Sequence, residues 1–173
     1  MKRGKPSNEF LGVLVDGDYA IDPLRALRSR WDVAELLQVH DRLMILETLN
    51  RYAWGYDSRD LELLGSTFAD NGVFAIELAG TYGWGPYTGR RQIVEWLAGV
   101  MAQQTDQRRH CISNTLFRTL NPESAVVDSF LSLTAAAGGT ARLVCTGTYR
   151  DDMIKTGGQW FIQRKVLRLD NPF

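Results

Sequence analysis

His40 and His110 are the only two histidines among 173 residues, and they keep different company. His110 lies in Arg109-His-Cys-Ile-Ser-Asn-Thr115, a stretch that alternates as a strand does. At a period of two, His110, Ile112, Asn114, Leu116 and Arg118 share one face, and Cys111, Ser113 and Thr115 take the other. Cys111 therefore cannot form a Cys–His nucleophilic pair with its neighbour. A face with His and Asn on either side of an isoleucine suits a pocket wall; a hydrogen-bonded structural histidine is the alternative. His40, beside Asp41, reads as a surface or packing residue. Asp57 follows Tyr52-Ala-Trp-Gly-Tyr56. A carboxylate placed after three aromatics is a candidate for partial burial, burial calls for a partner, and His110 is the natural one. A turn or capping aspartate is the competing reading of Asp57, and a core tyrosine with a satisfied hydroxyl that of Tyr52.

Other chemistries lack their residues. No three- or four-ligand cluster of His, Cys and carboxylates has zinc spacing, so no metal site is expected. Gly80–Gly89 has neither Walker nor dinucleotide spacing, no Gly-x-Ser-x-Gly elbow is present, and no cofactor is expected. Cys111 and Cys145 do not make a disulfide framework and read as reduced thiols in or near the core.

The elements that must position these side chains follow from the hydrophobic pattern. Trp31 to about Tyr56 is helical. Leu36, Val39, Leu43, Leu46 and Ala53 form one stripe, and Ile45, Leu49, Tyr52 and Tyr56 a second beside it. So broad an apolar arc predicts a largely enclosed helix. On a regular helix Tyr52 and Asp57 stand about 140° apart, so both face one pocket only if the helix ends near Gly55. A second helix is expected at Asp60–Ala69, capped by Asp60 and ended by a turn at Asp70-Asn-Gly72. A strand at Val73–Ala79 and a Gly-rich corner at Gly80–Gly89 come next. A third helix at about Arg90–Gln104 buries Ile93, Val94, Leu97, Val100 and Met101. The period then falls to two. Arg109–Leu120, Ala125–Ala136, Ala141–Ile154 and Trp160–Leu169 read as four long strands joined at Asn121-Pro-Glu, Gly138-Gly and Gly157-Gly. Helices first and an antiparallel meander last give an α+β domain over residues 31–173, with residues 1–30 an N-terminal extension. A sheet this long, with helices on one side, curls and encloses a pocket.

Composition narrows the partners. Lys plus Arg and Asp plus Glu both number 20, for a formal net charge of zero, which argues against nucleic-acid binding. No apolar run approaches the ~20 residues that span a bilayer. The apolar segment Phe10–Val15 is too short for the core of an export signal, so the expected location is cytoplasmic. The zero net charge sets little repulsion against self-association.

Arg51-Tyr-Ala-Trp-Gly-Tyr-Asp57-Ser-Arg-Asp60-Leu-Glu-Leu-Leu, then Phe68-Ala-Asp-Asn-Gly-Val-Phe74, resembles the SnoaL-like branch of the NTF2-like superfamily. His110-Cys-Ile-Ser-Asn114, Gly147-Thr-Tyr149-Arg-Asp151 and Gly158-Gln-Trp160 agree, over roughly residues 38–170. Scytalone dehydratase and bile-acid 7α-dehydratase are members that resemble the chain around Asp57 and His110. The resemblance implies a cone of about three helices on a strongly curved, mainly antiparallel sheet. It implies a hydrophobic cyclic or polyketide-like substrate and a dyad with His110 as general base or acid and Asp57 holding it. Tyr52 matches the family tyrosine of the first helix and Asn114 a polar pocket residue. Tyr149, Trp54 and Trp84 are expected at the substrate. Lyase chemistry of the dehydratase type is implied, with isomerase or cyclase chemistry on the same dyad as the near alternative. A non-catalytic role like that of the dioxygenase β subunit, or ligand binding alone, is the distant one. A homo-oligomer, trimer or dimer, is implied too. Scytalone dehydratase has a second catalytic histidine on the next strand; Asp128–Ala136 has none, so scytalone itself is a poor candidate substrate. Arg164 and Arg168 are the options for the C-terminal arginine of some members.

Overall fold

The structure, a computed structural model, describes residues 33–78 and 82–171; the expected N-terminal extension lies outside them. Helix α1 runs from Val33 to Ser58, α2 from Leu61 to Ser66 and α3 from Arg90 to Ala102. The strands are β1 Phe68–Leu78, β2 Tyr82–Thr88, β3 Gln107–Leu120, β4 Ser124–Ala137, β5 Thr140–Thr156 and β6 Gln159–Leu169. They form one curved, open sheet in the order β2-β1-β6-β5-β4-β3. The β1–β6 pair is parallel and every other pair antiparallel. The helices pack on one face, and the core lies between. Tyr52, Tyr149, Phe68 and Phe74 are among its largest buried side chains, each stabilising by roughly 1.5–3 kcal/mol through the apolar area it removes from water.

Helix α1 ends in a Schellman turn. Arg59 takes φ 59°, its N–H donates to the Tyr56 carbonyl and the Asp60 N–H to that of Gly55, satisfying carbonyls that the helix end would leave orphaned. Asp60 then caps α2, its carboxylate accepting from the Leu63 N–H at 2.9 Å. The two helices touch at Gly55, where a Cβ would lie 2.6 Å from the Leu64 nitrogen.

Four expectations are corrected. Helix α1 is not enclosed: Leu36, Val39 and Leu43 are exposed, and burial is confined to one side, from Asp41 through Ile45, Leu49, Tyr52 and Tyr56. One sheet covers only one side of a helix, whatever the width of its apolar arc. Asp70-Asn-Gly72 is no turn but part of β1, since α2 stops at Ser66 and the chain pairs with β6 from Phe68, where the register shifts. The Gly-rich corner contains β2, which pairs with β1 at Val73↔Thr88 and Ile76↔Trp84; a Cβ at Gly83 would run into the Ile76 carbonyl, so glycine here permits backbone approach within a sheet. Cys145 is buried as expected, but Cys111 is exposed, and both are free thiols.

The alternation of β3 is interrupted. Ser113 pairs with Phe130 and Leu116 with Asp128, so Asn114 and Thr115 together oppose Ser129. Asn114 takes φ 52°, a left-handed conformation that Asn tolerates better than most residues. This bulge switches the inward set from Arg108, His110 and Ile112 to Thr115 and Phe117. A similar slip on β6, with Ile162 opposite Met153 and Arg164 opposite Asp152, turns Lys165, Leu167 and Leu169 inward.

Candidate active site

Tyr52 and Tyr56, one turn apart on α1, point into a cavity of about 220 Å3 between the helices and the sheet. Phe74 and Ile76 of β1, Trp84 of β2, Trp96, Leu97 and Val100 of α3, and Leu131, Leu133, Cys145, Tyr149, Leu167 and Leu169 of the later strands complete an apolar, aromatic wall. Gln104, Arg108, His110 and the three tyrosines are the polar residues among its lining. An apolar cavity of ~150 Å3 holds a benzene, so this one has room for one substituted ring or a compact bicycle.

His110 is placed by β3, opposite Leu133 on β4, and its ring meets the edge of Tyr56 with centroids 4.5 Å apart. Asp57 holds it from behind. One carboxylate oxygen accepts from the His110 backbone N–H at 2.7 Å and the other lies 2.6 Å from Nδ1. A carboxylate only accepts, so Nδ1 carries the hydrogen and Nε2 is the nitrogen left for chemistry. Both side chains are 8% exposed. The helix does not end at Gly55 to bring this about. It continues to Ser58, and Asp57, 100° round from Tyr56, reaches His110 from the side without entering the cavity. Asp57, Trp54, Gln107, Arg109 and Cys111 line a separate outer groove that shares His110 with the cavity.

Tyr56 Oη accepts from Gln104 Nε2 at 2.8 Å, which leaves its own proton to donate. Burial pushes the phenols of Tyr52, Tyr56 and Tyr149 above their ordinary range, keeping them protonated donors. Arg108 Nε donates to Asp106 at 3.0 Å, and Arg142 lies 3.6 Å from the same carboxylate. Burial also raises the Cys145 thiol, with Arg108 acting in the opposite sense. Behind the tyrosines, Lys165 and Asp151 form an ion pair at 3.0 Å with both side chains wholly buried. Desolvation drives each toward its neutral form, raising Asp151 and lowering Lys165, and their mutual attraction opposes it.

The structure thus brings together His110, Asp57 and Tyr52, with Tyr149 and Trp84 on the cavity wall. It places two expected residues elsewhere. Asn114, within the bulge, is exposed and lines a depression with Arg118, Phe130 and Arg168. Trp54 is 69% exposed and belongs to the outer groove. Arg164 is exposed, and Arg168 pairs with Glu77 at 2.8 Å; neither lines the cavity. Sequence reading missed Tyr56, Gln104, Arg108 and the Lys165–Asp151 pair. Tyr56 was findable as the i+4 partner of Tyr52; the inward turn of Lys165 depends on a bulge that no residue type announces.

Helices closed over one face of an open, curved sheet, with a polar dyad reaching an aromatic cavity, define the NTF2-like, cystatin-like class of fold. The chain belongs to the SnoaL-like domain family, which it matches over residues 37–166. It is similar to an NTF2-like protein with a cystatin-like fold from Novosphingobium aromaticivorans, at 22% identity and TM-score 0.64, covering 86% of this chain and 91% of that one. A scytalone dehydratase-like protein from the same organism is 22% identical with TM-score 0.63, over 77% of this chain and 86% of the other. A β subunit of aromatic-ring-hydroxylating dioxygenase type, also from Novosphingobium aromaticivorans, is 14% identical with TM-score 0.65, over 82% and 94%. At these identities the likeness is one of fold. No curated protein sequence matches the chain.

Proposed function

We propose that this protein is a cofactor-independent lyase of the dehydratase type, acting on a small hydrophobic cyclic ketone that carries a β-hydroxyl. The observation that carries the reading is the Asp57–His110 contact at 2.6 Å beside a cavity lined by aromatic side chains. His110 Nε2 takes the proton from the carbon alpha to the carbonyl, and the electron pair moves onto the carbonyl oxygen, which a phenol hydroxyl of the cavity receives. The enolate then re-forms the carbonyl through the new carbon–carbon double bond and expels the β-hydroxyl. That group takes the proton back from the imidazolium and leaves as water. Asp57 stabilises the imidazolium while it lasts. Without a leaving group, the same steps shift a double bond or close a ring.

The test begins with a screen of hydroxylated cyclic ketones and enones. With a turned-over substrate in hand, His110→Ala should lower kcat by ~10²–10⁴-fold and leave the dissociation constant nearly unchanged, because the lost interaction is made in the transition state. Full turnover by that variant rejects the mechanism. A second reading, a non-catalytic subunit, is favoured by the likeness to the dioxygenase β subunit. It predicts no turnover on any screened ketone and stable association with a larger partner chain.

A further inference from the structure

Arg108 and His110 stand two residues apart on the inward face of β3, roughly 7 Å from one another at the rise of a strand. Both line the cavity. Arg108 brings a permanent positive charge, because a guanidinium does not deprotonate in proteins. Among the described residues, the lining of the cavity contains no Asp or Glu. The wall therefore carries a fixed cation in a mostly apolar, aromatic setting.

The countercharge of Arg108 lies outside that wall and is divided. The Arg108 side chain is 15% exposed, and its Nε donates to one oxygen of Asp106 at 3.0 Å. The other Asp106 oxygen lies 3.6 Å from Arg142. Two guanidiniums thus share one carboxylate, which leaves these three side chains with a net positive charge. The charge is felt inside the cavity. Burial raises the Tyr56 phenol and the Cys145 thiol, and Arg108 acts to lower both. Asp57 opposes it at Tyr56 and Asp170 at Cys145, each with the smaller effect. Beside Arg108 on the lining, Gln104 gives an N–H to Tyr56 Oη at 2.8 Å and leaves the phenol its own hydrogen to donate.

We propose that Arg108 makes the cavity an anion-selective site, whose ligand is a six-membered ring bearing a carboxylate. This rests on the reading of the cavity as the substrate site and adds a second point of recognition, apart from the carbonyl whose oxygen a phenol receives. The separation of Arg108 and His110 is about the span of such a ring with its substituent. A carboxylate seated on Arg108 therefore holds the far edge of the ring at the imidazole, where the proton is taken. Carboxylate and guanidinium are matched in charge and in planar geometry, and an apolar surround strengthens their attraction. Arg108 is already largely withdrawn from water, so on binding the ligand bears most of the loss of hydration.

The probes are benzoate and benzamide, which match in shape and differ in charge. Dissociation constants are measured by calorimetry on the full chain at neutral pH and low salt. Benzoate should bind the unmodified protein about 10-fold more tightly than benzamide, and each should displace the other. Arg108→Gln should weaken benzoate roughly 10–100-fold, the share of a charged hydrogen bond, and change benzamide less than about threefold. Arg108→Lys keeps the charge without the planar fork and should fall between. Equal affinity of the two probes for the unmodified protein overturns the anion site and leaves the cavity a ligand site, and this comparison stands even where a variant does not fold. A benzoate affinity that survives Arg108→Gln, or falls no further than that of benzamide, overturns it in the same way. Benzoate that benzamide does not displace sits elsewhere and overturns it too. Binding of neither probe removes the cavity reading itself and the proposal with it.

Discussion

Asp57 gives one oxygen to the His110 backbone N–H and the other to Nδ1, so position and tautomer are fixed by a single side chain. Asparagine cannot do both, because one of its two polar atoms is an NH2 donor. Asp57→Asn should therefore displace the hydrogen from Nδ1 or break the backbone contact. With only two imidazoles in the chain, the nitrogen-15 NMR signals of His110 are assignable and should show the tautomer change without any substrate. An unchanged spectrum would contradict the assigned role. Lys165 makes a second test at this scale. Replacing it alone by Met leaves Asp151 charged and buried, and should cost about 3–5 kcal/mol in urea denaturation. Adding Asp151→Leu should recover most of that loss, because an unpaired buried charge, more than a lost attraction, is what destabilises.

Among the elements, α1 is fastened to the far end of the sheet by Asp41. Its Oδ1 accepts from Lys155 Nζ of β5 at 2.7 Å and from Trp160 Nε1 of β6 at 2.9 Å. Burial acts to raise the carboxyl, but these donors outweigh it and hold Asp41 below its ordinary range. A depressed folded value means that the stabilisation is complete above the unfolded carboxylate pKa of about 3.9 and is lost as pH falls through the folded one. Asp41→Asn should then reduce stability by roughly 1–3 kcal/mol at neutral pH, with the gap to the unmodified protein closing below about pH 4. Denaturation curves at several pH values test this, and a gap that widens in acid would refute it. At the other end of α1, the contact between Gly55 and the Leu64 backbone leaves no room for a methyl group. Gly55→Ala should lower stability by about 1–3 kcal/mol through overpacking, despite alanine's better helix propensity.

For the molecule as a whole, the open sheet leaves its outer face to be accounted for. Leu116 and Phe130 are each about half exposed there, 49% and 53%, beside the Asp128 carboxylate that Arg118 and Arg150 share. We propose that the chain self-associates through this face, since apolar side chains flanked by ion pairs suit a partner surface better than water. Sedimentation should show a species larger than the monomer at micromolar concentration, and Phe130→Asp should shift it toward monomer. A monomer throughout would rule the association out.

What the residues alone determined is what local chemistry and period can carry. Asp60 was legible as a helix cap, as the structure has it, and the alternating runs from Arg109 onward as strands. The aromatic run before Asp57 marked one half of the dyad, and the scarcity of histidine marked the other. Tertiary structure decided whatever depends on register and approach. The bulge at Asn114 moved that residue out of the pocket wall and the slip at Gln163 turned Lys165 into the core, because one inserted residue reverses every later side chain of a strand. Burial of α1 along one side only, the pairing of glycine-rich β2 with β1, and the packing of the Tyr52 and Tyr149 rings on the Lys165 ammonium likewise come from segments far apart in the chain, whose contacts no local pattern encodes.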